Sequence, residues 1–533
     1  MNSIEIPGNQ RTLPWVQSLV GLIQEQAKII QAQAEQIAQL KITVQELRDE
    51  ITRLNNTPKR PKFRPSGSPS SENRRNHNTA NHQSLNTTQN PSIERTKEEI
   101  VVKPANVPAG SRFKGYSTYT VQELTLTPKD VMYKLEVWQT PDGSILRANL
   151  PPEIEGSHFG SDLRALVHGL YASGMTQPAL FQFIRNVGID ISEGQIHYIL
   201  MEEAQGYEKQ SEAILSAGLQ EAPYIRVDDT GAQHCYQNGY CTHIGGQYFA
   251  YYKTTASKSR LNFLKLLAQG KTGYVINDAF IWHLFEGGVE DDILNAFESC
   301  KGKRYSTKKG MIRLLNTMGL NRKKLRLACL EAGLIGLIQE TLKPGQVLIS
   351  DRAGQFAILD HADCWVHMER PLRKLVASTP EIESEIRQVR AAIWKLYEQV
   401  KEASISQQGK DAVLASYDAL MEKQVVSPGV HGVLNAFKEH REGMLKALEH
   451  PGLPLHNNDS ERDIRSMVKF RNISGSTKSE EGRSFRDGLM TLKQTCFRLG
   501  ENFWSYLRGW FRKNSIDLAA CVRQRYQATA SPP

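Results

Sequence analysis

At 533 residues the chain is long enough for roughly two to four domains and a well-buried core. Its 66 Lys+Arg against 57 Asp+Glu give a net charge of +9, a mild tilt toward polyanionic partners. Seven cysteines form no C-x-x-C pair, no apolar run approaches bilayer length, and the opening Met-Asn-Ser-Ile-Glu has no charged segment leading into an apolar one. These features argue against structural zinc, secretion and a membrane span, and predict a protein of a reducing cytoplasm.

Residues 1–56 are expected to form a coiled coil. Val16, Ile23, Ile30, Ile37, Val44 and Ile51 recur every seven positions, with Leu19, Leu40, Leu47 and Leu54 three places after members of that series. β-Branched residues at one seam position and leucine at the other favour two parallel strands, so residues 16–54 are expected to join copies into a homo-oligomer. Gln26 and Gln33 interrupt the seam.

Residues 57–108 turn to Pro, Ser, Asn, Thr, Gln and Arg and predict a disordered basic linker. Residues 109–152 predict a small β module, because Val131-Met-Tyr-Lys-Leu-Glu-Val-Trp138 alternates and Pro141-Asp-Gly143 ends it with turn residues. Residues 153–215 predict three helical pieces. Thr176 caps the second, with Pro178 in its first turn, and Ser192 with Gln195 reads as a capping box opening the third. Helix, glycine turn, helix matches helix-turn-helix geometry and makes this a candidate DNA reader.

In Tyr224-Ile-Arg-Val-Asp-Asp-Thr-Gly231 an apolar alternation runs into two acids and is then broken. It predicts a buried strand that brings a carboxylate to a sheet edge, where it must meet a hard cation or a basic partner. Two strand-like runs and a helix from Ser257 to Gln269 follow. Three strands, then a helix, with an acid on the first strand is how a ribonuclease H-like core begins. Such a core puts its second acid at the end of the next strand.

Val275-Ile-Asn-Asp278 and Val347-Leu-Ile-Ser-Asp351 compete for that place. Asp351 is preferred over Asp278 because its strand is more apolar, a helical turn can follow it, and Asp363-Cys-Trp-Val-His367 then reads as another strand. Residues 271–340 and 369–450 become helical insertions. Asn458 or Asp459 can cap a helix that carries Glu461 in its first turn, with Ile464 and Val468 toward the core. Residues 501–533 read as a helical tail.

Val227-Asp-Asp-Thr-Gly231, Ser350-Asp351, Cys364-Trp-Val-His367, Asn457-Asn-Asp-Ser-Glu-Arg462 and Lys469-Phe-Arg-Asn-Ile-Ser-Gly-Ser-Thr-Lys-Ser-Glu-Glu-Gly482 together resemble the insertion sequence 66 family of bacterial transposases. The resemblance runs from about Ala109 to Arg508. It implies an α/β fold with a ribonuclease H-like catalytic domain over 216–500 and an Asp-Asp-Glu triad in which Asp228, Asp351 and Glu461 are catalytic and metal-binding. Relatives often carry a cysteine zinc module ahead of that domain; residues 109–152 lack the cysteines. Asp229 stands where relatives often have glutamate and is read as a neighbour.

The implied activity is DNA strand cleavage and transfer at the terminal repeats of an insertion sequence. Mg²⁺ is the expected cofactor, with Mn²⁺ as a substitute, because two hard cations suit an all-carboxylate set. Asp228 is expected to bridge both ions, Asp351 to take one and Glu461 the other, with His367 nearby. Arg462, Arg465, Lys469, Arg471, Lys478, Arg483 and Arg486 are expected to clamp phosphates without reading bases. Double-stranded DNA, a second copy of the chain and accessory proteins of the element are the expected partners, in the bacterial cytoplasm at the nucleoid. The competing readings are a metal-dependent endonuclease without strand transfer and a catalytically inactive DNA-binding relative.

Overall fold

The computed structural model describes residues 99–104, 108, 111–154 and 156–530, with Gln26 alone ahead of them. The expected coiled coil, and the linker up to residue 98, lie outside the described residues.

Residues 111–136 are extended and exposed, and only the end of the expected β module pairs. There β1 (Val137–Gln139) and β2 (Ile145–Arg147) form an antiparallel hairpin over Pro141-Asp-Gly143. Gly143 supplies the positive φ of the turn, and Asp142 accepts from the Thr140 and Ser144 hydroxyls. The alternating residues before it have no core to face: Val131, Tyr133 and Leu135 all stay exposed.

Helices α1 (Ser161–Ala172), α2 (Gln177–Asn186), α3 (Glu193–Met201) and α4 (Ala204–Glu221) follow. The Ser192–Gln195 capping box forms reciprocally, at 3.2 and 2.8 Å. Leu180, Ile184, Ile196 and Ile199 are buried at helical spacing, so α2 and α3 pack as a unit. The buried His168 of α1 is held between the Ile199 carbonyl at 2.8 Å and the Tyr207 hydroxyl at 2.9 Å.

The central sheet begins with a meander of β3 (Tyr224–His234), β4 (Gln237–Gly245) and β5 (Ala250–Thr255). Then come α5 (Arg260–Leu267), β6 (Tyr274–Val275), α6 (Asp278–Glu286), α7 (Asp291–Glu298), β7 (Arg304–Tyr305), α8 (Lys308–Thr317) and α9 (Lys323–Gln339). β6 and β7 pair in a separate ribbon. The chain returns as β8 (Val347–Ser350), which lies parallel to β3, and β9 (Asp360–Asp363), parallel to β8. The order is β5-β4-β3-β8-β9, a mixed five-stranded sheet. β8 is buried along its whole length, as a strand covered on both faces must be. Leu348 joins one apolar core, while Val347 and Ile349 join the other.

Helices α10 (Trp365–Lys374), α11 (Pro380–Ser406), α12 (Lys410–Met421), α13 (Pro428–Glu439) and α14 (Arg441–Leu445) make the second insertion. One expectation fails here: Asp363–His367 is not a strand. The strand is Asp360–Asp363, and Trp365 already opens α10 because its indole fills the core of the helical insertion, donating to the Met444 carbonyl at 2.9 Å. Finally α15 (Asn458–Ser474), α16 (Glu480–Leu499), α17 (Phe503–Phe511) and α18 (Leu518–Ala530) close the fold. The last two are no free tail: Phe511 packs on His168, and Tyr526 on Tyr248.

α9 shows why the first insertion is rigid. Cys329–Ile338 is buried on every side, and Gly336 lets the helix touch the backbone of β6. A Cβ at Gly336 would collide with the Val275 carbonyl and the Asn277 side-chain oxygen. Gly336→Ala is therefore expected to lower stability by about 1–3 kcal/mol, read as a shift in the urea midpoint at unchanged slope.

Candidate active site

The parallel register of β3 and β8 ends at Arg226 opposite Ile349. Two residues beyond that point stand Asp228, within β3 where its pairing with β8 has stopped, and Asp351, directly after the end of β8, close enough for their charges to act on each other. Burial and the adjacent Asp351 push the Asp228 carboxyl up to about 7, with smaller contributions from Asp229 and Glu461. Its hydrogen-bond donor is the Asp229 backbone N–H at 2.8 Å, and no lysine or arginine side chain pairs with it. Asp351 accepts from the Ala353 N–H at 3.1 Å in the tight turn that ends β8, where Arg352 has φ +73°. Asp229 is likewise raised by burial and accepts from Gln355 at 2.6 Å.

Glu461 sits in the first turn of α15. Two groups from one face of α10 reach it: Arg370 at 3.0 Å and His367 at 3.2 Å. Arg465 lies 3.8 Å away on its own helix. Burial, then Arg370, holds the His367 imidazole below its ordinary range, so it is neutral at physiological pH. His367 is thus not simply packed beside Trp365; it faces the third acid.

The rest of the Asn457-Asn-Asp-Ser-Glu-Arg462 stretch aims Glu461. Asn457 donates its side-chain N–H to the Val227 carbonyl at 2.8 Å and its backbone N–H to Cys364 Sγ at 3.2 Å, tying α15 to β3 and to the start of α10. Asp459 pairs with the buried Arg226, which also donates to the Tyr224 hydroxyl at 3.0 Å. Burial works against the Asp459 carboxylate, yet Arg226 and Arg462 hold it down to about 2. The Ser460 hydroxyl lies 2.7 Å from His243 Nδ1 on β4. Asp463, buried, takes His243 Nε2 at 3.1 Å, Arg498 Nε at 2.9 Å and the Gln494 amide at 2.7 Å. Inspection of the sequence missed Arg226, His243, Asp463 and Arg498. The available signal was an unusual density of polar residues opening a helix with a buried face.

The three candidate acids carry only oxygen donors, and the potential that raises Asp228 is one a hard cation would relieve; the residues fit Mg²⁺ on that ground. With the side chains as they stand, no three His, Cys, Asp or Glu among the described residues gather tightly enough to cage an ion, since Glu461 leans on Arg370 and His367. Asp278, the competing second acid, opens α6 beside the separate β6–β7 ribbon, 86% exposed and paired with Lys301.

Of the expected phosphate clamps, Arg465, Lys469 and Lys478 are exposed and point to no acid except Arg465's distant contact with Glu461. Arg462 and Arg483 pair with Asp459 and Glu480, and Arg471 donates to the Gly231 carbonyl of β3. Arg486 is buried beside Asp487 and cannot present itself to a duplex.

A mixed sheet with one acid inside a strand and a second just after its parallel neighbour, and a third on a helix packed across it, defines an α/β protein compatible with a ribonuclease H-like core. The family model described as Transposase IS66 family matches residues 345–484, from the start of β8 into α16. The uncharacterized protein y4jO of Sinorhizobium fredii is 37% identical over 302 residues, which is 55% of this chain and 93% of that protein. The chain belongs to the IS66 transposase family. No helix among the described residues is long and apolar enough to cross a membrane.

Proposed function

We propose that the protein is the DNA transposase of a bacterial insertion sequence, cleaving element ends and transferring the freed strands through Asp228, Asp351 and Glu461. The observation that carries this reading is the Asp228–Asp351 couple where the parallel pairing of β3 and β8 stops, with Asp228 held up to about 7. Structural ion pairs pull carboxylates the other way. The sheet is read as a ribonuclease H-like core over 216–500.

Bound divalent cations would supply activation of the nucleophile and neutralisation of the phosphate and the leaving oxygen. Asp228, Asp351 and Glu461 would hold them. The chain's own residues provide the rest. Asn457, Ser460 and Asp463 lock α15 onto β3 and β4, so Glu461 enters from a fixed direction. His367 and Arg370 orient it, and Arg370 partly neutralises its charge. Arg465, Lys469 and Lys478 position the phosphate backbone. A water oxygen attacks phosphorus and the 3′-oxygen departs as a 3′-OH; that hydroxyl then attacks a target phosphorus and displaces the target strand's own 3′-oxygen, which takes up the proton released. The heptads of 16–54 would join two copies, and α2–α3 would take part in recognising the ends.

The test is Glu461→Gln on duplexes bearing the element ends, with Mg²⁺, scoring nicked and joined products separately. Wild type yields both. The variant keeps its duplex affinity and loses cleavage by more than about a hundredfold, the loss typical of disturbing even an outer partner of a metal ligand. Normal cutting by the variant would remove Glu461 from the site. Nicks without joined product in wild type would favour the endonuclease, and binding alone the inactive relative.

A further inference from the structure

Between Ser299 and Leu330 the sequence holds ten lysines and arginines and no acid. The remainder of the chain has 56 basic against 57 acidic residues, so the whole +9 surplus resides in this one stretch. It forms β7, α8 and the first turns of α9 in the first insertion. Lys301, Arg304 and Arg322 reach Asp278, Glu340 and Glu290, and Arg326 donates to Asn316, Asn321 and the Leu320 carbonyl. Lys303, Lys308, Lys309, Arg313, Lys323 and Lys324 are exposed and meet no carboxylate among the described residues.

The placement of these cations runs against helix physics. α8 opens with Lys308-Lys309 and α9 with Lys323-Lys324, and neither has an acid in its first turn. The N-terminal end of a helix already carries partial positive charge and prefers anions. Two such ends, each reinforced by a lysine pair, leave a concentrated positive field that a polyanion neutralises. The patch is also mechanically tied to the candidate acids. α9 is a helix of 17 residues, about 25 Å long, buried from Cys329 to Ile338 and leading through a short turn into β8 and Asp351.

We infer that residues 299–330 form a second, sequence-independent phosphate-binding surface that grips duplex DNA flanking the cut, away from the basic residues of α15. The inference rests on the reading above that the protein works on DNA. Its contacts are lysine point charges, which neutralise phosphates and read no base edges.

The test compares the intact protein with a Lys308→Gln, Lys309→Gln, Lys323→Gln, Lys324→Gln variant. A second variant, Lys395→Gln, Lys401→Gln, Lys423→Gln, Lys438→Gln, removes equal charge from exposed positions of the helical insertion. The probe is a random-sequence duplex, with Kd measured across a salt series and melting temperature as the folding control. The first variant should melt no lower than wild type. It should bind about 10–100-fold more weakly near physiological salt, with a slope of log K against log salt shallower by about 3–4, from a slope of about 0.9 per lost contact. The second should keep the wild-type slope. Equal slopes in all three proteins overturn the inference, as does an equal loss in both variants, which would mean only net charge matters. A first variant that keeps duplex binding but no longer binds phosphatidylserine vesicles would also overturn it. Failure of wild type itself to bind any duplex would instead remove the transposase reading. Retained nicking of saturated end duplex by the first variant supports a gripping role separate from the chemistry.

Discussion

Asp228→Asn should give a protein that is more stable than wild type at pH 8 and unable to cut. The ordinary carboxyl value of 3.8 is raised to about 7 by burial and by Asp351. Between those values the folded chain holds a proton that the unfolded chain has lost, so stability falls as pH climbs from about 4 to about 7 and the full cost remains above that. Three units at about 1.36 kcal/mol each set a ceiling near 4 kcal/mol. Solvent screening at a partly exposed carboxylate reduces the realised gain to about 1–2 kcal/mol, a rise in Tm of roughly 2–4 °C. At pH 4 the two proteins should melt alike. Added Mg²⁺ should raise the wild-type Tm by mass action and leave the variant nearly unmoved. Superimposable stability–pH curves would mean that Asp228 is not strained against Asp351, and the couple would lose its functional meaning.

The largest loss of stability should come from Asp463→Ala. Burial would lift this carboxyl, but His243 and Arg498 outweigh it and keep it below its ordinary range. It therefore contributes stability at neutral pH, and that contribution disappears only as acid protonates it. Alanine would strand Arg498, whose side chain is 11% exposed, and remove the carboxylate that lies 3.1 Å from His243 Nε2. Breaking such a buried set from one side typically costs about 3–5 kcal/mol. Urea unfolding measures this directly. Because Asp463 anchors the helix that carries Glu461, cleavage by the folded fraction should fall as well. A midpoint shift worth less than about 1 kcal/mol would show that α15 is held by its apolar face, Met467 and Phe470, and not by the polar network.

What could be read from the sequence was local. The apolar run into Asp228, the buried strand before Asp351, the Ser192 box and the Pro141-Asp-Gly143 turn are signalled by neighbours within a few residues. The approach of Asp228 to Asp351 depends on the pairing of strands more than a hundred positions apart, and no local pattern encodes that register. The hold of Arg370 and His367 on Glu461 depends on which face α10 turns inward. Trp365 decides this by entering a core built from α11 to α14, and the same tertiary demand turns an expected strand into a helix. Arg486 was misjudged for a related reason: the pattern around it is basic, but α16 places it on the side facing Tyr171 and Asp487. The basic stretch was hidden by averaging, since a global +9 looks mild until its location is known.

The order in which the strands are made has a biological consequence. Asp228 is synthesised early, on β3, but the parallel neighbour of that strand is made only after the whole first insertion, and Glu461 only after the second. A chain abandoned by translation at any earlier point has no complete carboxylate set. Under the proposed function, competence to cut would thus be a property of nearly finished molecules alone, and truncated products would be harmless to DNA.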